Sequence, residues 1–294
     1  MSPSPDLGLL RLAHVALSSP EPVRLASWYE QNVGLVRVDS PDGPVRLTTD
    51  AHPHCLELHE GESGLHHVAF EVSDLTVARD RLAERGTIDP EPVGAPGWTE
   101  ALRFSDHEGN EIRLVAGGRP TTTVHPGSRT FRPRKIGHVG VKASDLHGLV
   151  AFYTNELGFR LSDWIGEQVV FLRCNPDHHA IVFVAQPRER PDVHHVAYEV
   201  PSFEGFADQA DILAGNGVSV GWGPGRHAPS RNYFMYFDDV DGNRIEWMAG
   251  VRLIYDEAGH VPQVFDPAVP TSWNVWGPLP PPEFLTGIGP AAAA

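Results

Sequence analysis

The feature that most constrains this chain is that its 294 residues carry the same text twice. LRLAHVALSSPEPVRLASWYEQNVGL, from Leu10, has its counterpart in KIGHVGVKASDLHGLVAFYTNELGF, from Lys135. GLHHVAFEVSDL, from Gly64, pairs with DVHHVAYEVPSF, from Asp192, and LRFSDHEGNEIRLVAG, from Leu102, with MYFDDVDGNRIEWMAG, from Met235. The matches keep one order and nearly constant offsets: 124 residues from His14 to His138, 128 from His67 to His195, 133 from Arg113 to Glu246. Repeats of this length imply two similar units, each long enough to bury a core. The Gly-, Pro- and Thr-rich stretch at 117–135 reads as the linker. The expected organisation is an N-terminal domain over 1–117, a C-terminal domain over 135–261 and a proline-rich arm over 262–294.

Each unit divides again. HVALS and HVGVK lead into amphipathic helices expected near 22–33 and 145–157, which stop at Gly34 and Gly158. HVAFEV and HVAYEV alternate apolar residues as strands do and lead into helices near 74–85 and 203–215. In the first of these, Asp74 can cap, Leu75, Ala78 and Leu82 share a face, and Gly86 ends the helix. Short strand-like runs follow each helix, among them LRFSD, EIRLVA, WIGEQVVFLRC, AIVFVA, NYFMYFDD and RIEWMA. The pattern is β-α-β-β-β in four copies, an α+β fold whose sheets are covered on one face.

Composition narrows the function. Acidic residues outnumber basic ones 38 to 23, a formal charge of −15, and such a surface repels a phosphate backbone, so no nucleic-acid partner is expected. No apolar run approaches the roughly eighteen residues that span a bilayer, so no membrane partner is expected either. The opening MSPSPDLG lacks the basic patch and apolar stretch of a secretory signal, and the two cysteines, Cys55 and Cys174, form no disulfide framework. A cytoplasmic location is the expectation. The sixteen histidines are what call for a metal search.

Two histidines and a carboxylate on one face form the non-haem iron(II) arrangement, which leaves adjacent positions open for substrate and oxygen. In the second unit the candidates are His138, His195 and Glu246, each in a strand-like run where alternation decides the facing side. In RIEWMA, Ile245 and Trp247 should face one way and Glu246 the other. The first unit keeps His14 and His67 but has Arg113 in the place of Glu246, and a guanidinium repels a cation. One metal site, in the second unit, is therefore expected, with His14 and His67 structural. The second unit alone adds His178 and His179, where a strand should begin, then His227, and Tyr236 nine residues later.

These residues resemble a family signature. A small residue, any residue and His, then an aliphatic residue and Tyr, then a polar position, Pro, any residue, Gly and Glu mark the two-domain type I extradiol ring-cleaving dioxygenases of the vicinal oxygen chelate superfamily. Here it reads Gly225, Arg226, His227, seven residues, Met235, Tyr236, Asp239, Val240, Asp241, Gly242 and Glu246, with Val240 in place of Pro. The resemblance covers nearly the whole chain. It implies metal ligands His138, His195 and Glu246, an acid/base histidine at His179, and diol contacts from His227 and Tyr236. It also implies an aromatic wall at Phe171 and a residue close to the oxygen site at Gly140.

The implied cofactor is Fe(II), with Mn(II) compatible with the same ligands. The implied partners are a small catechol-type diol and O2, in a homo-oligomer. The implied reaction is insertion of both oxygen atoms beside the diol, giving a muconic semialdehyde-type product. Two other readings stay open: a metal-free small-molecule-sequestering protein of the antibiotic-resistance type, and a metal-dependent isomerase of the same superfamily. The arm, with Trp273 and Trp276, reads either as a surface strap or as a lid or subunit contact.

Overall fold

A computed structural model describes residues 7–38, 43–49, 53–119 and 131–284. Most of the linker (120–130), the end of the arm (285–294) and the first six residues lie outside that set. The repeat unfolds as four β-α-β-β-β modules. The first runs β1 (Leu9–Ser19), α1 (Pro22–Asn32), β2 (Val36–Val38), β3 (Val45–Thr48) and β4 (Leu56–Glu60). The second runs β5 (Gly64–Val72), α2 (Leu75–Arg85), β6 (Glu91–Pro92), β7 (Glu100–Ser105) and β8 (Glu111–Ala116). The third runs β9 (Lys135–Ala143), α3 (Leu146–Asn155), β10 (Arg160–Ile165), β11 (Val169–Arg173) and β12 (Ile181–Ala185). The fourth runs β13 (Val193–Glu199), α4 (Gly205–Gly215), β14 (Trp222–His227), β15 (Tyr233–Asp238) and β16 (Arg244–Ala249).

The four helices fall where their amphipathic spacing and punctuation put them. Asp74 accepts hydrogen bonds from the Thr76 and Val77 N–H groups at the start of α2, and Gly86 closes that helix with φ 68°. Gly34 takes φ 83° after α1 and Gly158 the same value after α3, a region that a side chain at either position would disfavour. Two sequence readings need correction. WIGEQVVFLRC is two strands, because Gly166 (φ 48°) turns the chain between β10 and β11. The strand expected to begin at His178 and His179 begins at Ile181. The His178 N–H bonds the Arg252 carbonyl (2.9 Å) and Asp177 bridges Leu253, so this segment is tied to the loop after β16 and not to the ladder.

Modules pair head to head into two sheets, ordered β2-β3-β4-β1-β5-β8-β7-β6 and, with two arm strands added, β17-β10-β11-β12-β9-β13-β16-β15-β14-β18. Here β17 is Gln263–Phe265 and β18 is Asn274–Trp276. In each sheet the central pair is antiparallel and its outer neighbours are parallel to it. Registers repeat as well: His14 faces Ala69 and His67 faces Ala16, as His138 faces Ala197 and His195 faces Gly140.

Alternation sends Val139, Val141, Ile245 and Trp247 into one core that continues through both halves. Tyr29 and Tyr198, and Phe70 and Phe159, meet there in edge-to-face pairs. Each fully buried side chain of this size contributes about 2 kcal/mol. The intervening residues, His138 and Glu246 among them, are left for the opposite face. That is how a packed core positions a polar site.

Candidate metal centre and cavity

His138 from β9, His195 from β13 and Glu246 from β16 sit on three neighbouring strands and are all buried. The His138 Nε2 lies 2.9 Å from the His195 Nε2 and 3.0 Å from the Glu246 Oε2, and the latter oxygen lies 3.5 Å from the His195 Nε2. Adjacent donors around an ion with bonds of about 2.1 Å should be about 3 Å apart, so the three donors fit one divalent cation. Two imidazole nitrogens this close can share at most one proton, and a cation replaces it. Burial raises the Glu246 pKa, but the His138 and His227 imidazoles and the Tyr236 hydroxyl together outweigh that, and the group stays below the usual carboxylate range. The carboxylate is therefore ionised, as a ligand must be.

Around the triad stand the other residues expected from the sequence. His179 packs on His138 (ring centroids 4.0 Å), with Phe171 edge-on to it (5.1 Å). The Tyr236 hydroxyl lies 3.0 Å from the His227 Nε2. Burial, then the Glu246 charge, pushes the Tyr236 phenol up, so it remains a hydrogen-bond donor. Seven of the eight expected residues, all but Gly140, line one cleft. The arm closes that cleft: β17 adds to β10, β18 adds to β14, and Trp273 and Phe284 complete an apolar wall with Val182 and Trp222. Trp276 lies outside it, against Tyr233 and Phe203.

Gly140 faces His195 in the β9–β13 register, and a Cβ there would collide with the imidazole ring. Its role in this structure is to seat the ring. Gly140→Ala is expected to push His195 off the shared point and lower metal affinity about 10- to 100-fold while leaving the fold intact, read by metal titration beside circular dichroism.

Three supporting residues were not singled out from the sequence. The Asn232 Nδ2 donates to the Glu246 Oε1 (2.8 Å), and Asn274 of the arm lies 3.2 Å from the His227 Nδ1. Asp163, wholly buried on β10, accepts from the His178 Nε2–H (2.9 Å). Burial pushes His178 down, partly offset by Asp163, so it is neutral and its Nδ1 is an acceptor. That nitrogen lies 3.1 Å from the His179 Nδ1, which must then be the donor. The network thus assigns His179 the tautomer with its lone pair on Nε2, the atom left for the cavity. Burial, then the His138 and His178 imidazoles, keep His179 well below the usual histidine range. None of the three carries a sequence cue; the φ of 60° at Arg231, just before Asn232, is visible only in the structure.

Paired β-α-β-β-β modules here place histidine and carboxylate donors on adjoining strands, able to hold one metal ion beside an apolar cleft. The chain belongs to the Glyoxalase/Bleomycin resistance protein/Dioxygenase superfamily, which it matches over residues 11–114 and 135–247. It is 27% identical over 274 residues to "Metapyrocatechase 2" of Cupriavidus necator, covering 81% of this chain and 84% of that one. It is 26% identical over 275 residues to the "Manganese-dependent 2,3-dihydroxybiphenyl 1,2-dioxygenase" of Geobacillus genomosp. 3, covering 84% and 87%. Its fold matches the Mn(II)-bound glyoxalase from Novosphingobium aromaticivorans with a TM-score of 0.82, 24% identity, and coverage of 94% and 93%. Among the described residues, no helix is long and apolar enough to cross a membrane.

Proposed function

We propose that the chain is an extradiol ring-cleaving dioxygenase acting on an uncharged, hydrophobically substituted catechol, with His138, His195 and Glu246 holding Fe(II) or Mn(II). The observation that carries this reading is the convergence of that triad with His179, His227 and Tyr236 in one apolar cleft. Relatives named as metapyrocatechase, catechol-2,3-dioxygenase and biphenyl-2,3-diol 1,2-dioxygenase support it. A bound divalent ion would supply Lewis acidity toward the diol oxygens and open positions for diol and O2.

The chain's own residues then have distinct tasks. The His179 Nε2 lone pair takes a diol proton and returns it to an oxygen of the opening ring, a transfer that suits an uncharged base in a dry pocket. The Tyr236 hydroxyl and the His227 imidazole hold a diol oxygen and orient the ring. Phe171, Val182, Trp222, Trp273 and Phe284 exclude water and stack against the substrate. A sequestering protein would need none of the proton-handling network from Asp163 to His179, which is the observation against that reading.

The wall also selects. Among the described residues lining the cleft none is Lys or Arg, so a carboxylated catechol would bury an unpaired charge. Oxygen uptake by anaerobically prepared, Fe(II)-loaded protein should accompany cleavage of alkyl- and aryl-catechols. Values of kcat/KM for carboxylated catechols should be lower by roughly 100-fold, since each tenfold is about 1.4 kcal/mol. Metal-loaded protein that takes up no oxygen with any of these diols would rule the activity out.

A further inference from the structure

The N-terminal half carries its own cluster of buried donors, and its carboxylate comes from a strand where comparison of the two halves does not look. At the position of Glu246 stands Arg113, whose Nε and Nη2 both turn to the Glu111 carboxylate (2.8 Å). The strand pairings place Leu56 against Val15 as they place Ile181 against Val139. Glu57 therefore occupies the place of Val182, a residue of the other half's cleft wall, and His54 the place of His179. The ring contacts agree: His54 lies 4.4 Å from His14, tilted 47°, and His179 lies 4.0 Å from His138, tilted 46°.

The donors converge. The His14 and His67 Nε2 atoms are 2.9 Å apart, the His67 Nε2 is 3.7 Å from the Glu57 Oε2, and the His54 Nε2 is 3.0 Å from the Glu57 Oε1. His14, His54 and Glu57 each bring one donor atom within 4.8 Å of the others, and His67 adjoins them through the His14 Nε2 and the second Glu57 oxygen. Tetrahedral ligands at about 2.0–2.1 Å from a shared ion would be about 3.3 Å apart. All four side chains are buried. Both nitrogens of His54 and the Nδ1 of His14 have no hydrogen-bond partner, so the short approach of His54 to Glu57 is not in hydrogen-bond alignment. Buried imidazoles left this way are costly unless something else meets their lone pairs. His59, 3.2 Å from the Glu57 Oε2, steadies the carboxylate from outside the group, as outer-shell partners of metal ligands do.

We propose that the N-terminal half holds a second divalent metal ion, in a closed zinc-type site made by His14, His54, His67 and Glu57. Four buried protein donors leave no position for a substrate, so the ion would be structural, whereas the three-donor triad of the other half stays open. The proposal replaces the expectation, drawn from Arg113 and the family resemblance, of a half without metal. It does not depend on the ring-cleaving activity, because its readout is metal bound per chain.

The full-length Glu246→Ala chain, stripped with chelator and titrated with Zn(II), should bind one ion per chain by calorimetry and native mass spectrometry. The unsubstituted chain should bind two. Adding Glu57→Gln or, as an independent second disruption, His14→Ala to Glu246→Ala should weaken that remaining ion at least 100-fold, with circular dichroism confirming a folded chain. A folded Glu246→Ala chain that binds no zinc overturns the proposal. So does a folded Glu246→Ala/Glu57→Gln chain that binds it as well as Glu246→Ala.

Discussion

Glu246→Ala is expected to bring ring cleavage to background while the chain remains folded. Glu246 is the only carboxylate of the triad and supplies the charge that two neutral imidazoles cannot. Its Oε2 is 3.0 Å from the His138 Nε2, and its Oε1 is fixed by the Asn232 amide at 2.8 Å. Alanine removes both the donor and the negative charge that favours a divalent ion over a proton at the shared point. Glu246→Gln keeps the shape and can keep the Asn232 contact but loses the charge, so it should also fail to retain the ion. Metal content and initial rates on an alkylcatechol check both variants. Activity retained in Glu246→Ala would remove the triad from the mechanism.

The second large effect is expected at His179. His179→Ala should hold metal and bind catechol near normally yet lose about 10²- to 10⁴-fold in kcat, the usual contribution of a positioned proton-transfer group. Its neighbours set its proton. Asp163 fixes the His178 proton on Nε2, His178 accepts from the His179 Nδ1–H, and the Nε2 lone pair is left facing the site. Burial, then the His138 imidazole, keeps that ring uncharged. Asp163→Asn should show a smaller kcat loss with KM little changed, since the amide can satisfy the Nε2–H but no longer stabilises positive charge along the chain of rings. Full turnover by His179→Ala, with metal content unchanged, would refute the assigned role.

The duplication and the four modules were legible because period-2 alternation, helix caps and terminal glycines are local signals. Ile245 and Trp247 flank Glu246 as strand residues must, and the core takes them while the site takes the carboxylate. The start of β12 was not legible, because Asp177 and His178 pair with the loop around Arg252, which no local pattern announces. Asp163, Asn232 and Asn274 escaped notice for a related reason. They approach from β10, a loop and the arm, and each is an ordinary polar residue until the fold brings it beside a histidine. Glu57 was hidden differently. Aligned by position, it replaces Val182 and reads as a polar residue for an apolar one, and only the strand register turns it toward His14 and His67.

The cleft of the C-terminal half is proposed to join O2 to a catechol. Turnover of an alkylcatechol by the Fe(II)-loaded chain under ¹⁸O2, followed by mass spectrometry of the product, tests it most directly. A ring-opened product carrying label from both oxygen atoms, before exchange of its aldehyde or ketone oxygen with water, is the predicted result. Metal-loaded protein that returns the diol unchanged, or converts it without label and without oxygen uptake, would contradict the account.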